Sequence, residues 1–221
     1  MKNKILLLIC ILSTAISFAQ KQPTFGVRGG INSTSMRGDA VTNLDKLLNF
    51  TNGMVTTQSS TGFFGGGYVS IPLAGGLSVE PAVYYALKGY ELRGALNIKG
   101  LDILNANAKA QLQSQYIDIP VLLKANVGGL QFFAGPQFSY LAKADLRTTA
   151  GVLGINLFRN STDATSQFNR WDAALTGGLG YQFTNGINIM ASYDYGLSKV
   201  DANKKLNSYN QGFKVGFGIG L

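Results

Sequence analysis

From residue 24 to the carboxyl end the chain keeps returning to a period of two, apolar then polar, and its charges obey the same alternation. Leu77, Val79, Pro81, Val83, Tyr85 and Leu87 interleave with Ser78, Glu80, Ala82, Tyr84, Ala86 and Lys88. Successive side chains of a strand point to opposite faces, so such a segment is a strand with one apolar face, whereas a helix needs apolar spacings of three and four. Ile117, Ile119, Val121 and Leu123 alternate in the same way with Asp118, Pro120, Leu122 and Lys124, and Ile187, Ile189, Ala191 and Tyr193 with Asn188, Met190, Ser192 and Asp194.

The pattern predicts eight strands, near residues 24–33, 62–72, 77–89, 115–127, 130–141, 171–183, 187–198 and 208–221. The connections alternate between long (34–61, 90–114, 142–170, 199–207) and short (73–76, 128–129, 184–186), with parts of the second and third long ones suited to extend their hairpins. Strands that fold back through tight turns pair antiparallel, and an even set closed on itself leaves no edge. An up-and-down β-barrel follows, with tight turns at one end and loops at the other.

A water-soluble barrel of the lipocalin kind and a membrane barrel share this alternation and differ in which face points inward. The polar phase carries Gly26, Gly30, Gly178, Gly180, Gly212, Gly216, Gly218 and Gly220. Small residues suit a narrow eight-strand interior, whereas on a solvated face bare backbone only weakens the strand. The strand charges Arg28, Glu80, Lys88, Asp118, Lys124, Asp172, Asp194 and Lys214 fall in that same phase, four of each sign. Level positions along the strands pair Glu80 with Lys124, Lys88 with Asp118, and Asp194 with Lys214, which predicts a lumen filled by ion pairs. The expectation is therefore all-β: an eight-stranded antiparallel transmembrane β-barrel with short periplasmic turns and long extracellular loops. Phe25, Phe132, Tyr181 and Phe183 near one rim, and Tyr85, Tyr140, Trp171, Tyr195 and Tyr209 near the other, suit interfacial aromatic girdles. Pro81, Pro120 and Pro136 fall inside these strands and imply bulges or local breaks.

Residues 1–19 read as a secretory signal, with Lys2 and Lys4 before an apolar run and Ser17 and Ala19 before the cut, leaving 20–221 as one barrel domain. That apolar run is shorter than the about 20 residues a spanning helix needs, and no other stretch approaches this length. Cys10, the one cysteine, lies within the signal and reads as a passive member of its apolar run. With no histidine and no cysteine after the signal, nucleophile–histidine catalysis and thiolate metal sites lack their residues. Asp39 and Asp45 are too few for a calcium loop, and the glycines of 216–220 end the chain with no helix to follow, so they form no nucleotide cradle. Neither catalysis nor a cofactor is expected. The excess of Lys+Arg (19) over Asp+Glu (11) is scattered with no run beyond Lys204-Lys205, so nucleic acid is not an expected partner.

Phe213, Val215, Phe217, Ile219 and Leu221 form an apolar comb ending at the carboxyl terminus, suited to recognition by barrel-assembly machinery during biogenesis. A charge at Phe217 should be far worse tolerated than Gly218→Ser. At residues 116–124 the chain reads Tyr-Ile-Asp-Ile-Pro-Val-Leu-Leu-Lys, which resembles a strand of the PorT-like outer-membrane barrels of Bacteroidetes. Glu80-Pro81 with Tyr84-Tyr85 and Lys88-Gly89, Gly135-Pro136 with Ser139-Tyr140, and Gly178-Leu179-Gly180-Tyr181 agree with it. The resemblance implies a single barrel domain in the cell outer membrane of a Gram-negative bacterium. The missing histidine points to a non-enzymatic barrel, and loop charges that sum to 0, +1, +2 and +2 from the first long connection to the fourth suit outer-membrane lipid and lipopolysaccharide as contacts, with any surface partner unidentified. A narrow pore, a part of a secretion apparatus as for the name-giving relative, and a soluble lipocalin-like barrel are the alternatives.

Overall fold

The computed structural model describes residues 22–38, 55–96, 106–152, 155–202 and 207–221; the signal segment, Asp39 and Asp45 lie outside these. The strands are β1 Thr24–Gly38, β2 Val55–Pro72, β3 Leu77–Leu96, β4 Ala106–Val127, β5 Leu130–Val152, β6 Ile155–Asp163, β7 Trp171–Gln182, β8 Ile187–Gly196 and β9 Ser208–Gly220. All pairings are antiparallel. Eight strands pair in the cycle β1-β2-β3-β4-β5-β7-β8-β9, and β9 returns to β1 through the register Gly26↔Gly220 to Gly38↔Ser208. The ninth, β6, pairs only with the far half of β5, from Asp145↔Asp163 to Val152↔Ile155, and widens the wall at the loop end.

The expected strand positions stand, but their lengths differ. Much of three expected loops is hairpin: β1 and β2 run into 34–61, β3 and β4 into 90–114, and β5 with β6 into 142–170. β3, β4 and β5 have 20, 22 and 23 residues, whereas about 9–11 suffice to cross a bilayer. Gln58, Ser59, Lys143, Arg147 and Thr148 on these extensions are exposed, so the apolar-out alternation of the ring does not continue into them.

Of the bulges or local breaks expected at the prolines, the breaks are present and the bulges are not. The prolines do not sit at register shifts: Pro81 pairs with Val121, Pro120 with Gln137 and Pro136 with Leu175, and the ladder is only interrupted beside them. The shifts lie at Ser59/Phe64, Gln115/Tyr116 and Ala150/Gly151. Gly218 has little room for a side chain. A Cβ there would lie 2.7 Å from Asn188 Oδ1 and 3.1 Å from the Val27 carbonyl, and Asn188 is tied to both Arg28 and Tyr68.

Glycine serves closure elsewhere in the wall. A Cβ on Gly178 would stand 2.2 Å from the Ala191 carbonyl and 2.7 Å from the Phe133 ring, so neighbouring backbone and an inward aromatic occupy its side-chain space. The β4–β5 turn is the two-residue Gly128-Gly129 with φ of 57° and 92°, the left-handed pair that matches hairpin twist.

Facing is unambiguous on every ring strand. Val27, Ile31, Phe63, Val83, Leu123, Phe138, Leu179, Val215 and Phe217 are exposed on the outside, while Tyr68, Tyr84, Leu122, Phe133 and Met190 pack within. The row Tyr85, Ile117, Tyr140, Trp171 runs across four neighbouring strands as one outer girdle segment.

Candidate functional site: the charged lumen

The eight strand charges all project inward, none more than 8% exposed, and stack in three tiers. The tier nearest the tight turns centres on Glu80 of β3. Arg28 Nη1 donates to Glu80 Oε1 at 2.6 Å, and Lys124 Nζ to Oε2 at 2.5 Å. Neutral groups complete the arginine's shell: Nη1 also donates to the Tyr84 hydroxyl (2.8 Å), Nη2 to Asn188 Oδ1 (3.1 Å), and the guanidinium lies over the Tyr68 ring at 4.2 Å. This tier joins β1, β2, β3, β4 and β8.

The middle tier centres on Asp118 of β4, which has no exposed surface. Its Oδ1 accepts from Lys88 Nζ at 2.7 Å and its Oδ2 from Lys214 Nζ at 3.1 Å. Lys214 also reaches Asp194 Oδ2 at 2.7 Å and Gln137 Oε1 at 3.0 Å. Thr176 donates to Asp194 Oδ1 at 2.8 Å, and Lys88 also reaches Ser139 Oγ at 3.4 Å. Together the two tiers touch every strand of the ring. A buried charge is tolerable only when paired and hydrogen-bonded, and this shell supplies both.

Asp172 departs from the ion-pair expectation. It forms the outermost tier, with the Ser198 hydroxyl donating to Oδ1 at 2.5 Å and Asn210 Nδ2 to Oδ2 at 2.7 Å. No cation reaches it within salt-bridge distance among the described residues. The reason is its height: β7 begins only one residue earlier, which lifts Asp172 above the lysines.

Sequence reading missed the neutral members Asn188, Gln137, Ser139, Thr176 and Asn210. Their inward phase was legible; which acid or base each would touch depends on the stagger between strands. Among the described residues no three acidic side chains converge on a metal position. A vestibule of about 870 Å³ opens at the tight-turn end, lined by Tyr68, Ser78, Asn126, Gln131 and Gln182, and reaches inward as far as Glu80.

A closed antiparallel ring with charges inside and apolar residues outside is what the comparison with known families bears on. The family model described as "Outer membrane protein beta-barrel domain" matches residues 18–202. The chain belongs to this outer-membrane β-barrel family. None of the curated proteins matches it. Among solved structures, this outer-membrane barrel is similar to Ail, the attachment invasion locus protein of Yersinia pestis, in complex with the heparin analogue sucrose octasulfate. The two are 12% identical over 91% of this chain and 100% of that one, with a TM-score of 0.46. Neisserial surface protein A is 13% identical over 90% of this chain and 99% of its own, TM-score 0.40. The N-terminal β-barrel domain of Pseudomonas aeruginosa OprF is 19% identical over 90% and 100%, TM-score 0.31.

Proposed function

We propose that the chain is an integral, non-enzymatic outer-membrane barrel, exported by the signal at residues 1–19, whose lumen is filled by its own charged side chains. It acts through what its outer rim and loops contact. One observation carries this reading: on the same strands the charges are buried and the large apolar residues are not. Arg28 is 3% exposed between Val27 at 53% and the bare Gly29, and Lys214 is 5% exposed between Phe213 at 65% and Val215 at 56%. In water that arrangement exposes apolar surface and desolvates ions together; in lipid it is the stable one. The motif at 116–124 supports placement among the PorT-like barrels. Outer-membrane lipid and lipopolysaccharide are the contacts of the belt and rim, and the comb Phe213, Val215, Phe217, Ile219, Leu221 on β9 and its end is the segment offered to barrel-assembly machinery.

The vestibule at the tight-turn end favours a second reading, a narrow pore. Against it, the Arg28–Glu80–Lys124 tier lies across the vestibule's inner end and the Asp118 tier lies beyond that. Charges of both signs neutralise one another, whereas a selective passage is commonly ringed by one sign. Planar-bilayer recording of the purified mature protein is expected to show no steady unitary conductance. A reproducible open step whose ion preference changes in Lys214→Ala would establish the pore instead.

A further inference from the structure

Arg37 stands on the outer face of the wall rather than in the lumen or a loop. It lies near the end of β1 in the outward phase of Ile31, Ser33 and Ser35, and pairs across with Tyr209 of β9. Its guanidinium is held between two aromatic rings, 3.9 Å from the Tyr195 centroid and 4.7 Å from that of Tyr209. Nη2 donates to the Gly196 carbonyl at 2.6 Å, while the buried Nε–H has no acceptor among the described residues. Tyr195 is an outward member of the loop-end girdle, 44% exposed, so the cation sits at the level where the apolar belt of β8 and β9 stops. Below it a polar strip continues on the same face: the Tyr193 hydroxyl donates to Gln211 Oε1 at 3.1 Å, and Gln211 Nε2 to Ser35 Oγ at 3.2 Å.

Several other cations toward this rim are already engaged, and the exposed Arg147 of β5 and Arg159 of β6 have no aromatic ring over them among the described residues. Lys143 pairs with Asp145 at 2.9 Å, Lys109 with Glu91 at 2.7 Å, and Arg170 Nη1 donates to the Leu141 and Ala142 carbonyls at 3.1 Å each. Among the described residues Arg37 has no carboxylate partner, yet its plane is fixed by two rings and one carbonyl. With Nε buried and one Nη2–H spent on Gly196, Nη1 and the second Nη2–H are the donors left to it, and a guanidinium held in one plane presents that edge to phosphate oxygens with little further loss of rotamer freedom. The tight turns 73–76, 128–129 and 184–186 at the opposite rim carry no charged residue at all.

We propose that Arg37, clamped by Tyr195 and Tyr209, is a docking site for the phosphate of a phosphorylated outer-leaflet lipid, with the Gln211–Ser35 strip beneath it facing the lipid's sugar and amide groups. This rests on the membrane reading above, because only in a bilayer does the outward face at this height meet headgroups. The occupant is a lipid rather than free phosphate, since the surface continues downward without a break into the apolar belt of Phe213 and Ile31.

The test is native mass spectrometry of the mature protein reconstituted in nanodiscs containing equal amounts of bisphosphorylated lipid A and its dephosphorylated form. The wild type is expected to retain the phosphorylated lipid in preference by about tenfold, the scale of one charge-assisted contact. Arg37→Gln should abolish the preference and Arg37→Lys should keep only part of it, because charge remains without the fork. Equal retention of both lipids by the wild type, an unchanged preference in Arg37→Gln, or displacement of the lipid by an equimolar amount of inorganic phosphate would overturn the site. The heat-modifiable band of each sample separates the two levels. A wild type that never inserts sinks the membrane reading and this one with it, whereas insertion without the preference sinks this one alone.

Discussion

Asp118→Asn is expected to cost the barrel about 3 to 5 kcal/mol, the range for removing one partner of a buried ion pair. It should appear as a lowered urea midpoint in detergent and a heat-modifiable band that unfolds at lower temperature. Asp118 is fully buried and receives Lys88 at 2.7 Å and Lys214 at 3.1 Å, so the amide strips charge compensation from two lysines at once. Their fates differ. Lys214 keeps Asp194 at 2.7 Å, whereas Lys88 is left with the Ser139 hydroxyl at 3.4 Å and the Tyr116 ring at 4.7 Å. Most of the loss therefore comes from a stranded Lys88, and adding Lys88→Met should recover the larger part of it. If the double variant is as unstable as the single one, the cluster holds the wall by geometry rather than by charge compensation.

Phe217→Arg places a charge in the middle of the apolar belt, where about 2 to 4 kcal/mol is lost on the lipid face of a transmembrane barrel. Phe217 is 55% exposed and lies level with Gly29 of β1 and Ile189 of β8, between Val215 and Ile219 of its own strand. Leu221→Arg, at the rim, should cost only about 0 to 1 kcal/mol, since the penalty fades toward the interface. Folding titrations into lipid vesicles read both. In a barrel surrounded by water the two arginines would be equally harmless, so a cost that depends on depth is the signature of lipid contact.

The ring strands and their facing were legible because outward apolar and inward polar or small residues alternate through the middle of each strand, and all eight charges of those stretches fall in one phase. Pairings such as Glu80 with Lys124 could be read from height along adjacent strands. Arg28 could not be joined to Glu80 in this way, because β1 and β3 are not neighbours and the contact crosses the lumen over β2. The shared use of Asp118 by Lys88 and Lys214 was hidden for the same reason. β6 escaped because residues 155–163, Ile-Asn-Leu-Phe-Arg-Asn-Ser-Thr-Asp, carry their apolar members at one end only, so no period of two marks them as a strand. Arg37 was lost with it: counting 34–61 as loop hid that the outward phase of β1 continues through Ser35 to the rim.

Trp171 offers the most direct measurement of whether this outer face meets lipid. It is the one tryptophan of the chain, 60% exposed, packed edge-on against Tyr140 at 5.1 Å at the loop-end girdle. In vesicles made with brominated lipids its fluorescence should be strongly quenched, most by bromines placed near the headgroup and progressively less by those deeper in the acyl chains. Aqueous iodide should have little effect. Strong quenching by iodide with indifference to every brominated lipid would place Trp171 in water and contradict the membrane barrel.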